Sequence, residues 1–126
     1  MPQPATLTLG AEFALALAAK DFSRVLELMH PEIDFAGLTP SRHWDAGDAE
    51  TAISGVLRAW FLDDDEIQAL EQLECDTVAD RERVRYRFSV RNPKGHFLVE
   101  QQAYLSERDG RIGWMRVVCS GFRPVA

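Results

Sequence analysis

The feature that most constrains this chain is a change of hydrophobic period at Asp63-Asp64-Asp65. Before this acidic cluster, apolar residues recur three and four apart. After it they alternate, and Val84-Arg85-Tyr86-Arg87-Phe88-Ser89-Val90-Arg91 does so with almost no break. A period of two puts Val84, Tyr86, Phe88 and Val90 on one face of a strand and the arginines on the other. Helices that come first and a meander of strands that follows predict an α+β fold, with the helices covering one face of the sheet.

The helical part divides into three. Residues 9–19 are good helix formers with a stripe through Phe13 and Leu17. Asp21 reads as the cap of a second helix in which Phe22, Val25, Leu26 and Met29 repeat until His30-Pro31 stops the pattern. Residues 32–38 read as a first strand with Ile33, Phe35 and Gly37 in one phase. Residues 39–44 read as a polar loop, or flap, that carries Trp44. Asp48 caps a third helix whose Ala49, Ala52, Ile53, Val56, Leu57 and Trp60 share a face. Four more strands are expected at 67–78, 84–91, 96–105 and 111–122. The turns between them carry Asp80-Arg81-Glu82-Arg83, Asn92-Pro93-Lys94-Gly95 and Asp109-Gly110.

Several function classes are excluded at this level. The 126 residues, 46% hydrophobic, suit one domain with one core. With a net charge of −6, and basic residues spread over alternate strand positions, the chain lacks a surface that tracks phosphates, so nucleic acid is not an expected partner. No apolar run approaches the roughly 20 residues that span a bilayer. Residues 11–19 contain Glu12 and lack a basic region ahead of them, so they read as a helix and not as a signal core. Cys75 and Cys119 form neither a disulfide framework nor a metal-ligand spacing, and His30, His43 and His96 are scattered. The expectation is a cytoplasmic protein with no metal and no cofactor.

The stretches Ala19-Lys20-Asp21-Phe22, Val25-Leu26-Glu27-Leu28-Met29-His30-Pro31-Glu32-Ile33 and Asp109-Gly110-Arg111-Ile112, with Met115-Arg116, sit in a helix-helix-strand-helix-meander layout. Over almost the whole chain, this layout resembles the nuclear transport factor 2-like superfamily, which includes ketosteroid isomerase and the SnoaL-like polyketide cyclases. The resemblance implies three N-terminal helices packed on a strongly curved antiparallel sheet that forms a cone. It does not by itself assign chemistry. The isomerase recipe uses an aspartate base, a tyrosine and a protonated aspartic acid. Carried onto this chain, those positions fall on Gly37, on Phe13 and on Gln101 or Gln102. Gly37 and Phe13 can neither take a proton nor polarise an oxygen, so that recipe is not expected here.

Strand parity then sorts the sheet into an inner and an outer face. The inner list contains Tyr86, Phe88, Val99, Gln101, Ala103, Leu105, Met115, Val117 and Cys119, with Ile67, Ala69, Glu71, Leu73 and Cys75 sharing a phase on the preceding strand. Glu100 falls on the outer face beside the arginines. The candidate ligand-binding residues are Phe13, Phe35, Trp44, Trp60, Tyr86, Phe88, Gln101, Met115 and Cys119. The large apolar members are residues that any core also needs, and Gln101 equally serves buried backbone groups. Trp44 either covers a pocket mouth or anchors its own loop. Glu71 is a candidate base if buried, and Cys119 a candidate nucleophile with no histidine assigned near it.

Three functional readings follow. The first is binding of a small, largely apolar or aromatic molecule in the cone, with Gln101, Tyr86 and Trp44 orienting it. The second is a homodimer, or a docking module, that uses the outer sheet face through Leu98, Tyr104, Trp114 and Val118. The third is a cyclase- or isomerase-type acid-base enzyme that uses Glu71 or a loop histidine. An open interior favours binding and a filled one favours docking.

Overall fold

A computed structural model describes residues 7–125. Helix α1 (Leu9–Ala18) starts where the Thr8 side chain accepts a hydrogen bond from the Ala11 N–H at 3.1 Å. Asp21 caps α2 (Phe22–Leu28) in the same way, through the Arg24 N–H at 3.1 Å. The chain is extended from Met29 onward, earlier than the periodicity suggests, because a residue before proline disfavours the helical region. Strand β1 therefore runs Met29–Thr39.

The expected flap is a strand. Pro40 and Ser41, the latter with φ of 72°, turn β1 directly into β2 (Arg42–Ala46), and Trp44 pairs with Gly37 across that hairpin. Asp48 caps the third helix, accepting from the Thr51 N–H at 2.7 Å, and this hydrogen bond holds its carboxyl below the usual range. This helix, α3, is not uniform. It consists of α-helical Ala49–Thr51, a π-helical stretch Ala52–Leu57 and α-helical Arg58–Trp60. The wider turns keep Ala52, Ile53, Val56, Leu57 and Trp60 all buried.

The meander follows as β3 (Glu66–Val78), β4 (Arg81–Asn92), β5 (Gly95–Arg108) and β6 (Arg111–Cys119), with a two-residue β7 (Arg123–Pro124) paired to β5. Strand order is β2-β1-β6-β5-β4-β3, so the sheet stays open between β2 and β3. The pairs of the meander are antiparallel, but β1 runs parallel to β6, which makes the sheet mixed. That contact arises because α3 carries the chain from the β2 edge to the β3 edge, and the meander returns one strand at a time. All three helices pack on one face, α1 against β3, β4 and β5, α2 against β1 and β6, and α3 against β1 and β2.

Parity holds on β4, β5 and β6 and fails on β3. Register shifts lie between Ile67 and Ala69 and between Leu70 and Gln72. Each bulge adds a residue on one side and turns the phase over. Ile67, Leu70 and Leu73 therefore pack on the core, while Ala69 and Glu71 are exposed. The second shift restores the phase, so Cys75 stays on the inner face opposite Val84, exposed at the end of the sheet, where its Sγ accepts from Thr8 Oγ1 at 3.7 Å. Cys75 and Cys119 are free thiols on β3 and β6, with two strands between them.

Candidate functional site

On the inner face the register sets Tyr86 of β4, Gln101 of β5 and Cys119 of β6 in one row. Tyr86 is fully buried and donates its hydroxyl to Gln101 Oε1 at 2.6 Å. Burial raises the Tyr86 pKa well above its ordinary value, since a phenolate there would lose its water. Gln101 is 1% exposed, and its Nε2 has no partner. Rotating the amide by half a turn would direct one N–H to the Tyr86 oxygen and leave the other unmatched, so a donor is in excess in both orientations.

Aromatic rings surround this pair. Phe13 of α1 and Phe88 of β4 stand 6.3 and 5.1 Å from the Tyr86 ring, and Phe61 stands 5.7 Å from Phe88. A second group lies over β1, where Trp60 of α3 meets Phe35 at 6.1 Å and Trp44 edge-on at 6.3 Å. Gly37 explains that seat. A Cβ at Gly37 would come within 2.6 Å of Trp60 Cη2, so the indole occupies space that any side chain would need. Trp44 donates its own Nε1–H to Thr39 Oγ1 at 2.9 Å and carries the Arg42 guanidinium over its ring. The Trp60 Nε1 is buried without a partner.

A search of solved structures returns folds of this build. One is a proposed isomerase from Rhodopseudomonas palustris, 16% identical, with 93% of each chain covered and a TM-score of 0.72. The chain has the fold that the resemblance to the nuclear transport factor 2-like superfamily implied. A proposed polyketide cyclase from Xanthomonas campestris pv. campestris is 15% identical over 87% of this chain and 86% of that one, with a TM-score of 0.68. A protein of ketosteroid isomerase-like fold from Catenulispora acidiphila, solved with trimethylamine, is 10% identical over 92% and 88%, with a TM-score of 0.62. Identities this low carry the fold alone. No protein-family model matches the chain, and no curated protein matches it significantly.

Of the positions onto which the resemblance carried the isomerase recipe, Gly37 has the Trp60 indole pressed against it and Phe13 is a fully buried ring. Of the residues expected at a site, Phe13, Phe35, Trp60, Tyr86, Phe88 and Met115 fall in one buried cluster, with Gln101 among them and Trp44 and Cys119 packed at its margin. The interior is filled around them, because Phe13, Phe35, Tyr86, Phe88 and Met115 touch no water-sized space. Two clefts of about 460 and 410 Å³ lie instead on the surface, one around Thr8, Thr77 and Glu82, the other around Leu26, Met29 and Arg111.

The acid-base candidates are not in the cone. Glu71 is exposed. His30 faces Asp109 at 3.5 Å, His43 faces Asp45 at 3.9 Å, and His96 Nε2 lies 2.6 Å from Ser89 Oγ on the outer face. Cys119 Sγ accepts from the Gly121 N–H at 3.4 Å and lacks a histidine partner. Sequence reasoning missed Glu82, whose inward phase was visible but whose position was read as a turn. Its Oε1 accepts from the Gly10 N–H of α1 at 3.0 Å, its Oε2 is buried without a partner, and a Cβ at Gly10 would collide with it at 2.6 Å. Glu82 braces the start of α1, four register pairs along the sheet from the Tyr86–Gln101 pair and on the same face. Phe61, just past the third helix, and Phe122, at the end of the last expected strand but beyond the observed end of β6 at Cys119, stand 6.1 Å apart and were also missed. Among the described residues no group of three His, Cys, Asp or Glu could hold a metal, and no helix is long and apolar enough to cross a membrane.

Proposed function

We propose that this protein binds a small, largely apolar or aromatic molecule in the cone, against Gln101 and Tyr86. The observation that carries the reading is the Gln101 amide, sealed among aromatic rings with an N–H that nothing accepts. An unmatched buried donor costs about 1–3 kcal/mol, so a core built for stability alone would favour an apolar residue there. The residues next to the pair on the same face are Val84, Phe88, Val99, Ala103 and Cys119, which offer no carboxylate or imidazole to move a proton. Binding is therefore the better reading than acid-base turnover. The interior is filled, the condition that favours docking over binding, so this reading requires a ligand that enters by displacing side chains, past the π-helical stretch of α3 that is the most irregular part of that wall. Titration of neutral bicyclic compounds, followed by indole fluorescence and melting temperature, is expected to give saturable binding that raises the melting temperature. No saturable binding by the folded chain would overturn the reading.

A second reading rests on a different observation. Leu38 and Val118 are register partners on the outer face, 49% and 55% exposed, and the filled interior is what a docking module would have. Beside them, Trp114 lies under the guanidiniums of Arg81 at 3.8 Å and Arg116 at 4.5 Å. Self-association through this face would bury the pair, and Val118→Glu would shift a dimer to monomer in analytical ultracentrifugation. A monomer at micromolar concentration for the unmodified chain would remove this reading.

A further inference from the structure

The surface cleft of about 460 Å³ lies between the start of α1 and the β3–β4 and β5–β6 turns, and Glu82 lines it. Glu82 belongs to the inward phase of β4, which carries its side chain under α1. Gly10 makes the room, since a Cβ there would come within 2.6 Å of Oε2. Bracing the helix accounts for half of this carboxylate. An anion beside the first turn of a helix is favourable, and Oε1, which accepts the Gly10 N–H at 3.0 Å, is enough for that. Oε2 has lost its water and has no donor in return. The Thr8 hydroxyl in the same cleft donates to Cys75 Sγ.

The charges around the opening have one sign. Glu12, Asp80 and Glu107 line the cleft with Glu82, against Arg81 alone. Glu12 is met by Arg24 at 3.1 Å, but the Arg81 guanidinium lies 3.8 Å over the Trp114 ring on the outer face. Leu9, Ala79 and Leu105 supply an apolar wall. We propose that this cleft binds an organic ammonium ion, a primary amine whose N–H groups meet Glu82 Oε2 and whose apolar body lies along that wall. A metal ion would lack a set of ligands, and a neutral molecule would leave the surplus charge unmet. Reaching Oε2 takes a turn of the carboxylate, which the Gly10 N–H reports. The site is separate from the cone and does not depend on the binding reading above.

The test titrates benzylammonium, benzyltrimethylammonium and benzyl alcohol into the intact, isotope-labelled chain at neutral pH and fixed ionic strength, followed by amide NMR shifts. The three probes share a ring and carry charge with donors, charge without donors, and a donor without charge. Benzylammonium is expected to shift the Gly10 amide saturably and to bind roughly tenfold or more tighter than either of the others, the size of a hydrogen bond to a charged group. Glu82→Gln keeps an acceptor for the Gly10 N–H and removes the charge, and should lower that affinity by a similar factor. Asp80→Asn/Glu107→Gln leaves the contact with α1 in place and should lower it roughly two- to fivefold, so the test survives a Glu82 variant that does not fold. Equal binding of the three probes, no saturable shift at Gly10, or an affinity unchanged in both variants would overturn the proposal.

Discussion

On β4, Tyr86 and Arg87 are neighbours in sequence and opposites in environment. The Tyr86 hydroxyl is buried and is held by the Gln101 amide, while the Arg87 side chain is 40% exposed and grips Glu100 at 2.9 Å. The contrast extends along both faces. Outside, Arg83 pairs with Asp76, Arg85 with Glu74 and Arg116 with Asp34, so every one of these charges has a partner and water as well. The hydrogen bonds from Arg85 and Arg83 hold the Glu74 and Asp76 carboxyls below their usual range. Inside there are few polar groups, and two of their N–H groups have no acceptor. A strand can afford many weak, solvated pairs on one side, whereas on the other each polar group has to be accounted for singly.

The widest expected gap between the faces is at Phe88 and Arg87. Phe88→Ala should lose about 3–5 kcal/mol in denaturant unfolding, because it removes a fully buried ring and leaves a void. Arg87→Ala should cost less than about 1 kcal/mol. Similar losses for the two would break the comparison.

Gly37 sharpens it from the side of packing. Gly37→Ala should cost about 1–3 kcal/mol by pushing the Trp60 ring from its seat. Trp60→Leu in the same chain should recover part of that loss. Strict additivity in the double variant would show that the two residues do not share the space.

Tyr86→Phe should cost about 1–3 kcal/mol near neutral pH by stranding Gln101 Oε1. It should also change the alkaline limb of the stability profile. The folded-state pKa of Tyr86 is raised, so the folded chain holds that proton more tightly than the unfolded chain does. The contribution is therefore complete below the unfolded pKa of about 10 and is lost as pH rises above it. The variant should lose stability less steeply there, and an unchanged slope would mean that the hydroxyl is not sealed. At the small end, Glu100→Gln should alter stability by less than about 1 kcal/mol and lose even that effect in high salt.

How much was legible can be read from particular residues. The inward set Val84, Tyr86, Phe88, Val99, Gln101, Ala103, Leu105, Met115 and Val117 follows from alternation, since a strand without bulges has no freedom to move a side chain to the other face. The caps Asp21 and Asp48 were equally visible, because a side-chain acceptor ahead of a helix acts over three residues. Glu71 was misplaced for the converse reason, as two bulges in β3 are set by its pairing with β4 and leave little mark in composition. Trp44 was placed in a loop because Arg42–Ala46 is short and polar, and its strand exists through its partner β1.

What this sequence determined by itself is local. It sets where helices give way to strands, which face of β4, β5 and β6 is apolar, and that one glutamine must be buried among aromatics. The tertiary structure alone decided that Trp60 lies on Gly37, that Glu82 reaches the first turn of α1, that β1 runs parallel to β6, and that the interior closes around the Tyr86 and Gln101 pair. These features depend on groups 15 to 72 residues apart for the two hydrogen bonds, and on strand order for the rest. Periodicity records how each residue meets its own strand or helix, and it contains no term for which distant element will fill the space beside it.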